Sequence, residues 1–222
     1  MKLPALLLCT LLAMATPPGN APVKKRAPET QPPNAQRWAT ATLRPAWIPA
    51  LDKAIWHYQR SAPRYLAIQR LRPRGMPAPI IAAIHGRESS WDFTCHLHEG
   101  SPLTHRTRYV PRGRPLTPDP PYTFEQSAED ALYLLKSEHL IDWTTPATAL
   151  DAIESYNGLG YRRYHPDVPS PYLWSGTTLY SRGKFVADHR FSPTAVDRQA
   201  GVAAILIRMK ERGMIDSSTW SK

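Results

Sequence analysis

The sequence predicts a mainly α protein with long loops and at most a small β-hairpin. Three observations carry this. Apolar residues recur at three- and four-residue spacing in several stretches of the chain. Helix-start signals stand before two of them: Thr123 with Gln126 as a capping box, and Thr145 followed by Pro146 as an N-cap and first-turn pair. Only 180–185 reads as a short hairpin. With 222 residues, 42% of them hydrophobic, the chain is long enough for one domain with a sizeable core. About five to seven helices are expected from the periodicity, and no internal repeat is visible.

The elements follow in order. Residues 1–15 read as a secretory signal: Lys2 is the positive start, 3–14 is an apolar run too short to span a bilayer, and Ala13-Met14-Ala15 is a cleavage site. Ala21 is a poorer site because Pro22 follows it. Cys9 lies inside the apolar run without the small residues that a lipoprotein signal places before its cysteine. Residues 16–45, rich in Pro, Ala, Thr and basic side chains, read as a flexible leader, with the folded domain spanning 46–222. Leu51, Ile55 and Tyr58 fall on one helical face, and a second helical piece covers 65–71. After Pro73, Pro77 and Pro79, the residues Ile80, Ile81 and Ile84 set the face of the next helix.

Residues 94–122 have no period. A loop of this length in a compact domain is usually functional or disordered. From the capping box, Ala128, Leu132, Leu135 and His139 continue a helix of about four turns. Leu150, Ile153 and Tyr156 form the stripe of the next one, ended by Gly158. Ser192-Pro193 caps the last helix, with Val196, Ala200, Ala203 and Ile207 on its apolar face and Gly213 at its end.

Charge and cysteine content narrow the function. The formal net charge is +10, and about +9 once Lys2 is removed with the signal, which favours anionic partners such as cell-wall polymers. Basic and aromatic residues do not interleave as in a nucleic-acid-binding surface, so nucleic acid is not expected as a partner. No segment after the signal is apolar enough to span a membrane. The mature chain keeps Cys95 alone, so no intrachain disulfide is expected and the fold must rest on its core.

Two stretches carry chemistry. In 80–93 an apolar helix runs into Glu88, one turn beyond Ile84 on the same face. A carboxylate at the mouth of an apolar core is partly desolvated, which raises its pKa and suits it to act as a general acid. Ser89, Ser90, Trp91 and Phe93 follow. In 154–161, Tyr156-Asn157-Gly158 ends a helix and Gly160-Tyr161 follows. Asn157 offers donors and an acceptor, and the glycines allow close approach to a ligand. Taken singly, Glu88 reads as a solvated helix-end charge and Tyr156-Asn157-Gly158 as an ordinary helix cap.

Together, Glu88-Ser89 and Tyr156-Asn157-Gly158 resemble the lysozyme-like superfamily of soluble lytic transglycosylases and goose-type lysozymes. There a helix ends in a catalytic Glu followed by Ser, and a Tyr-Asn-x-Gly motif lines the sugar groove. The stretch from His85 to about Leu206 is also similar to a set of exported bacterial lysozyme-family proteins with the patterns H-x-R-E-S-S-x-x-F, P-L-T-x-R-T and S-P-Y-L-W-S, here at 85–93, 102–107 and 170–175. The Gly-Leu-Met-Gln segment of the transglycosylases is missing; Leu103-Thr104-His105-Arg106-Thr107 occupies that interval.

The resemblance implies an exported, periplasmic or secreted peptidoglycan-cleaving muramidase, a glycoside hydrolase or lytic transglycosylase acting on the MurNAc-GlcNAc β-1,4 bond. Glu88 is the expected general acid, oriented by Ser89 or Tyr156. Ser89, Tyr156, Asn157, Tyr161 and Trp174 are the expected substrate contacts. Peptidoglycan strands are the expected partner, the protein is expected to be a monomer, and no metal or cofactor is expected. Hydrolysis needs a water positioned by a second carboxylate, for which Asp92, Glu99, Glu154 and Asp188 are candidates; for transglycosylation the resemblance implies that one Glu suffices. The alternatives are a non-catalytic wall-binding protein on the same fold, and a metal-dependent hydrolase using His85, His96, His98 and His105. The i, i+2 spacing of His96 and His98 is poor for a metal, and no G-x-S-x-G marks a serine hydrolase.

Overall fold

The computed structural model describes residues 33–109, 111–215 and 220, and they are built around one helix. The signal sequence, its cleavage site and most of the leader lie outside the described residues. The central helix, α3 (Ala78–Ser89), enters behind Pro77 and holds Ile80, Ile81, Ala82, Ala83, Ile84, His85 and Gly86 all out of solvent. The sequence suggests one buried face. The helix is instead enclosed on every side, as expected of a helix apolar all round. It ends where Ser90 and Trp91 turn left-handed, at φ 55° and 63°.

Seven further α-helices surround it among the described residues: α1 (Asn34–Thr40), α2 (Ile48–Gln69), α4 (Phe124–Glu129), α5 (Pro146–Asn157), α6 (Gly160–Tyr164), α7 (Pro171–Trp174) and α8 (Val202–Glu211). α2 and α8 pack on α3 and on each other, α7 packs on α8 and α5, and α1 packs on α5. Leu51 and Ile68 of α2 and Val202 and Leu206 of α8 are fully buried. The mainly α class with a small hairpin is therefore the observed one. Among the described residues, no helix is long and apolar enough to cross a membrane.

Several boundaries move. The domain does not begin at 46: α1 lies within the expected leader and buries Trp38, whose ring meets Trp220 edge-on at 5.2 Å. The two helical pieces around 47–58 and 65–71 fuse into the 22-residue α2, which passes through Pro63. Pro63 is exposed, so the carbonyl left without its donor faces water. The helix after the capping box is α-helical only to Glu129 and continues as a π-helical turn, Asp130–Leu135. The hairpin pairs β1 (Lys184–Ala187) with β2 (Arg190–Ser192), later than the expected 180–185. The last helix starts behind Gly201, not at Ser192, and Val196 is 52% exposed.

The loop 94–122 is ordered by polar side chains. His96 pairs with Ser127 Oγ (2.8 Å) and the carbonyl of His105 (2.7 Å). His98 pairs with Asp130 (2.8 Å), whose other oxygen accepts from Arg114 (2.5 Å). Cys95 is half-buried with its thiol beside Asp92.

Candidate functional site

Glu88 stands on the last turn of α3, where two cavities meet. The larger, about 1010 Å³, runs past Tyr161, Tyr164 and Tyr172 to the β1–β2 hairpin. The smaller, about 480 Å³, is walled by Tyr156, Lys136, His98 and Glu99. Glu88, Asn157 and Gly158 line both. Together they form a trough crossing the mouth of the central helix, with the carboxyl at its middle.

The chemistry of Glu88 follows from its seat. Burial disfavours the charged form and pushes its carboxyl up to about 7; the hydroxyl of Tyr172 and the charge of Arg87 act against that shift, and the charge of Glu99 adds to it. Such a carboxyl keeps its proton at near-neutral pH and can still give it away. The hydroxyl of Tyr172 donates to Glu88 Oε1 at 2.8 Å. Burial beside Glu88 pushes the Tyr172 phenol well above its ordinary value, so it stays a donor. Arg87 lies against the Tyr172 ring, 5.1 Å from its centre, and is held by an ion pair with Asp197 (3.0 Å), itself almost fully buried.

The structure sorts the sequence-predicted residues. Asn157 and Gly158 lie where expected, at the end of α5; Gly158 adopts φ 101°, and a Cβ there would meet only open space in the trough. Tyr156 walls the smaller cavity and donates its hydroxyl to the carbonyl of Leu97 (3.1 Å), so it braces the 94–122 loop and not Glu88. Tyr161 lines the larger cavity; its hydroxyl accepts from the amide of Phe185 (3.1 Å), tying the hairpin to α6.

Two expectations do not hold. Ser89 lines neither cavity, and its hydroxyl turns back to the carbonyl of His85 in the preceding turn. Trp174 is fully buried and likewise lines neither cavity. The orienting partner is Tyr172, two residues before Trp174 in the one-turn helix α7. Residues two apart on a helix point in nearly opposite directions, so only one of that pair can face the trough. The motif S-P-Y-L-W-S marks the right turn, but Tyr172 serves the site and Trp174 the core.

Two of the four candidate second carboxylates are engaged elsewhere. Glu154 is fully buried and accepts from Asn34 (2.8 Å) and Arg162 (2.6 Å), joining α1, α5 and α6. Asp92 accepts from the amide and hydroxyl of Thr94, which hold its carboxyl below the usual range, and it lines neither cavity. Asp188 sits exposed at the hairpin turn on the rim of the larger cavity, and Glu99 lies in the smaller one. His96 and His98 are taken up in the packing described above, His85 lies between the Tyr65 hydroxyl (2.9 Å) and the Asp92 carbonyl (3.2 Å), and His105 is exposed with its ring beside the Thr104 hydroxyl. Among the described residues, no group of three His, Cys, Asp or Glu side chains is placed to hold a metal ion. No family model, curated protein or solved structure matches the chain.

Proposed function

We propose that this protein is a muramidase of the lysozyme-like type, cleaving the β-1,4 bond between MurNAc and GlcNAc in peptidoglycan with Glu88 as general acid. One observation carries the reading: a desolvated carboxyl, pushed up to about 7, stands where two cavities meet. A polymer laid through that trough presents an internal bond to the acid, with sugar units in either cavity. Tyr172 orients the proton, Asn157 supplies polar contacts to both sides, and Tyr161 and Tyr164 give the larger cavity aromatic surface. Support also comes from the net charge of +10, suited to an anionic wall, and from the secretory signal read in residues 1–15.

Zymography on purified bacterial walls tests this. Clearing by the wild type that vanishes in Glu88→Gln is the expected outcome. Clearing that survives Glu88→Gln and stops with a chelator would replace this reading with a metal-dependent one. Wall binding without any lysis would leave a binding protein on this fold.

A further inference from the structure

We propose that Glu99 is the base of a hydrolytic reaction, holding and deprotonating the water that attacks the sugar carbon freed by Glu88. This rests on the muramidase reading and decides its outcome in favour of hydrolysis over internal transglycosylation.

The placement of Glu99 is set by its backbone. Gly100 has φ 79°, a region few side chains adopt, and a Cβ on it would stand 2.7 Å from the carbonyl oxygen of Glu88. The Glu99-Gly100 turn therefore lies directly against the last turn of the central helix. Three further bonds fix it: the amide of Gly100 donates to the His96 carbonyl (3.0 Å), the amide of His96 to the Ser101 carbonyl (2.7 Å), and Tyr156 to the Leu97 carbonyl (3.1 Å). This brings a second carboxylate into the smaller cavity on which Glu88 also opens.

The two oxygens of Glu99 differ. Oε1 accepts from the hydroxyl of Ser101. Oε2 is shielded from bulk solvent and has no hydrogen-bond partner among the described residues. A buried carboxylate oxygen without a partner is costly in a structural role. It is useful as an acceptor for a water that arrives with the substrate. Of the other carboxylates on the trough, Asp197 is taken up by its ion pair with Arg87, and Asp188 is exposed at the tip of the hairpin.

The step balances without a co-reactant. Glu88 gives its proton to the bridging oxygen as the bond from that oxygen to the sugar carbon breaks. The water oxygen bonds to the same carbon, and the water proton passes to Glu99. Both new chain ends carry a hydroxyl, and transfer of one proton from Glu99 to Glu88 through solvent restores the pair.

Digestion of purified peptidoglycan in ¹⁸O-water, with mass spectrometry of the released muropeptides, tests this using wild type, Glu99→Gln and Glu99→Ala. The expected results are one ¹⁸O at each new reducing end from the wild type, and a loss of about 10²–10⁴-fold in turnover for Glu99→Gln, the size of a general-base contribution. Azide, a nucleophile needing no base, is expected to restore cleavage by Glu99→Ala and appear as a glycosyl azide. Anhydro ends from the wild type, or turnover by Glu99→Gln within about threefold of wild type, would overturn the role of Glu99 while leaving Glu88 as acid. Loss of activity in both variants without azide rescue would overturn it too, making Glu99 structural. A wild type that releases nothing would instead sink the muramidase reading itself.

Discussion

Glu88 is stabilised in its protonated form by the fold, and that has consequences with a definite sign. Its carboxyl titrates near 7 in the folded chain and near 4.5 in the unfolded one. Between those values the folded state binds more protons, so stability falls as pH rises through the window. Glu88→Gln removes the penalty. The variant is expected to match the wild type near pH 4 and to exceed it by about 1–3 kcal/mol at pH 8, read from urea unfolding at the two pH values; equal stability at both would contradict the desolvated seat. Activity should fall on the alkaline side as Glu88 loses its proton. Tyr172→Phe sharpens this. The Tyr172 hydroxyl stabilises the carboxylate, so its loss raises the Glu88 pKa further. Turnover at pH 6 is expected to drop about tenfold, as for a lost hydrogen bond to a charged group of about 1.5 kcal/mol, while the alkaline limb moves to higher pH. A limb that stays or moves down would show that Tyr172 does not act on Glu88. At this scale Glu88, Asn157 and Gly158 were legible, because a carboxylate ending an apolar run and a Gly-ended helix are local patterns. Tyr172 was not, because which of two aromatics on one helical turn meets the acid depends on how α7 packs.

A local start signal marks a helix where tertiary packing agrees with it, and elements defined by tertiary contacts alone carry no such mark. The Thr123–Gln126 capping box and the Thr145-Pro146 start both stand where their side chains dictate, with Thr123 accepting from the Gln126 amide at 3.2 Å. The π turn at Asp130–Leu135 has no such signal. It carries Asp130 to His98 and Arg114, so a buried charge network across the loop accompanies the changed winding. The start of α8 is not legible for a related reason. Ser192-Pro193 is a plausible cap, but the chain passes from β2 across the larger cavity, placing Asp197 against Arg87, before it turns helical at Gly201. The loop 94–122 is legible as a long segment without a period but not as a rigid one, since its order comes from buried side chains with distant partners. Gly100→Ala probes that rigidity. The new Cβ would collide with the Glu88 carbonyl in a backbone region unfavourable to Ala, at a cost of about 1–3 kcal/mol. Lowered thermal stability is expected together with reduced turnover, because the displaced turn carries Glu99 and presses on the helix that carries Glu88. A Gly100→Ala protein with unchanged melting and activity would show the turn to be loosely held.

Over the whole molecule, the trough is made by elements far apart in sequence, and the expected leader is part of what holds them. Composition marks 16–45 as a linker because Pro, Ala and basic residues dominate it; a single Trp does not alter that average. Yet Trp38 is 1% exposed, and Asn34 donates to both Asp151 and Glu154 of α5 at 2.8 Å. Arg162 of α6 grips the same two carboxylates. α1 thus braces α5, the helix that ends in Asn157, at the same two carboxylates through which Arg162 ties α6 to it. Removing it takes Trp38 out of the core and leaves Glu154 without the Asn34 amide, held by Arg162. Loss of a buried Trp alone costs about 3–5 kcal/mol, and in a chain of this size 1 kcal/mol shifts the melting temperature by about 2–4 °C. A protein starting at residue 46 is therefore expected to melt at least about 6 °C below one starting at residue 33, and to lose wall-cleaving activity below the melting point of the longer form. Equal melting of the two would mean that α1 rests on the domain without stabilising it. Asn34→Ala separates the two contributions of α1: it leaves Trp38 in place, so a small loss of stability paired with a disproportionate loss of turnover would trace the effect to the α5 clamp, and not to the core.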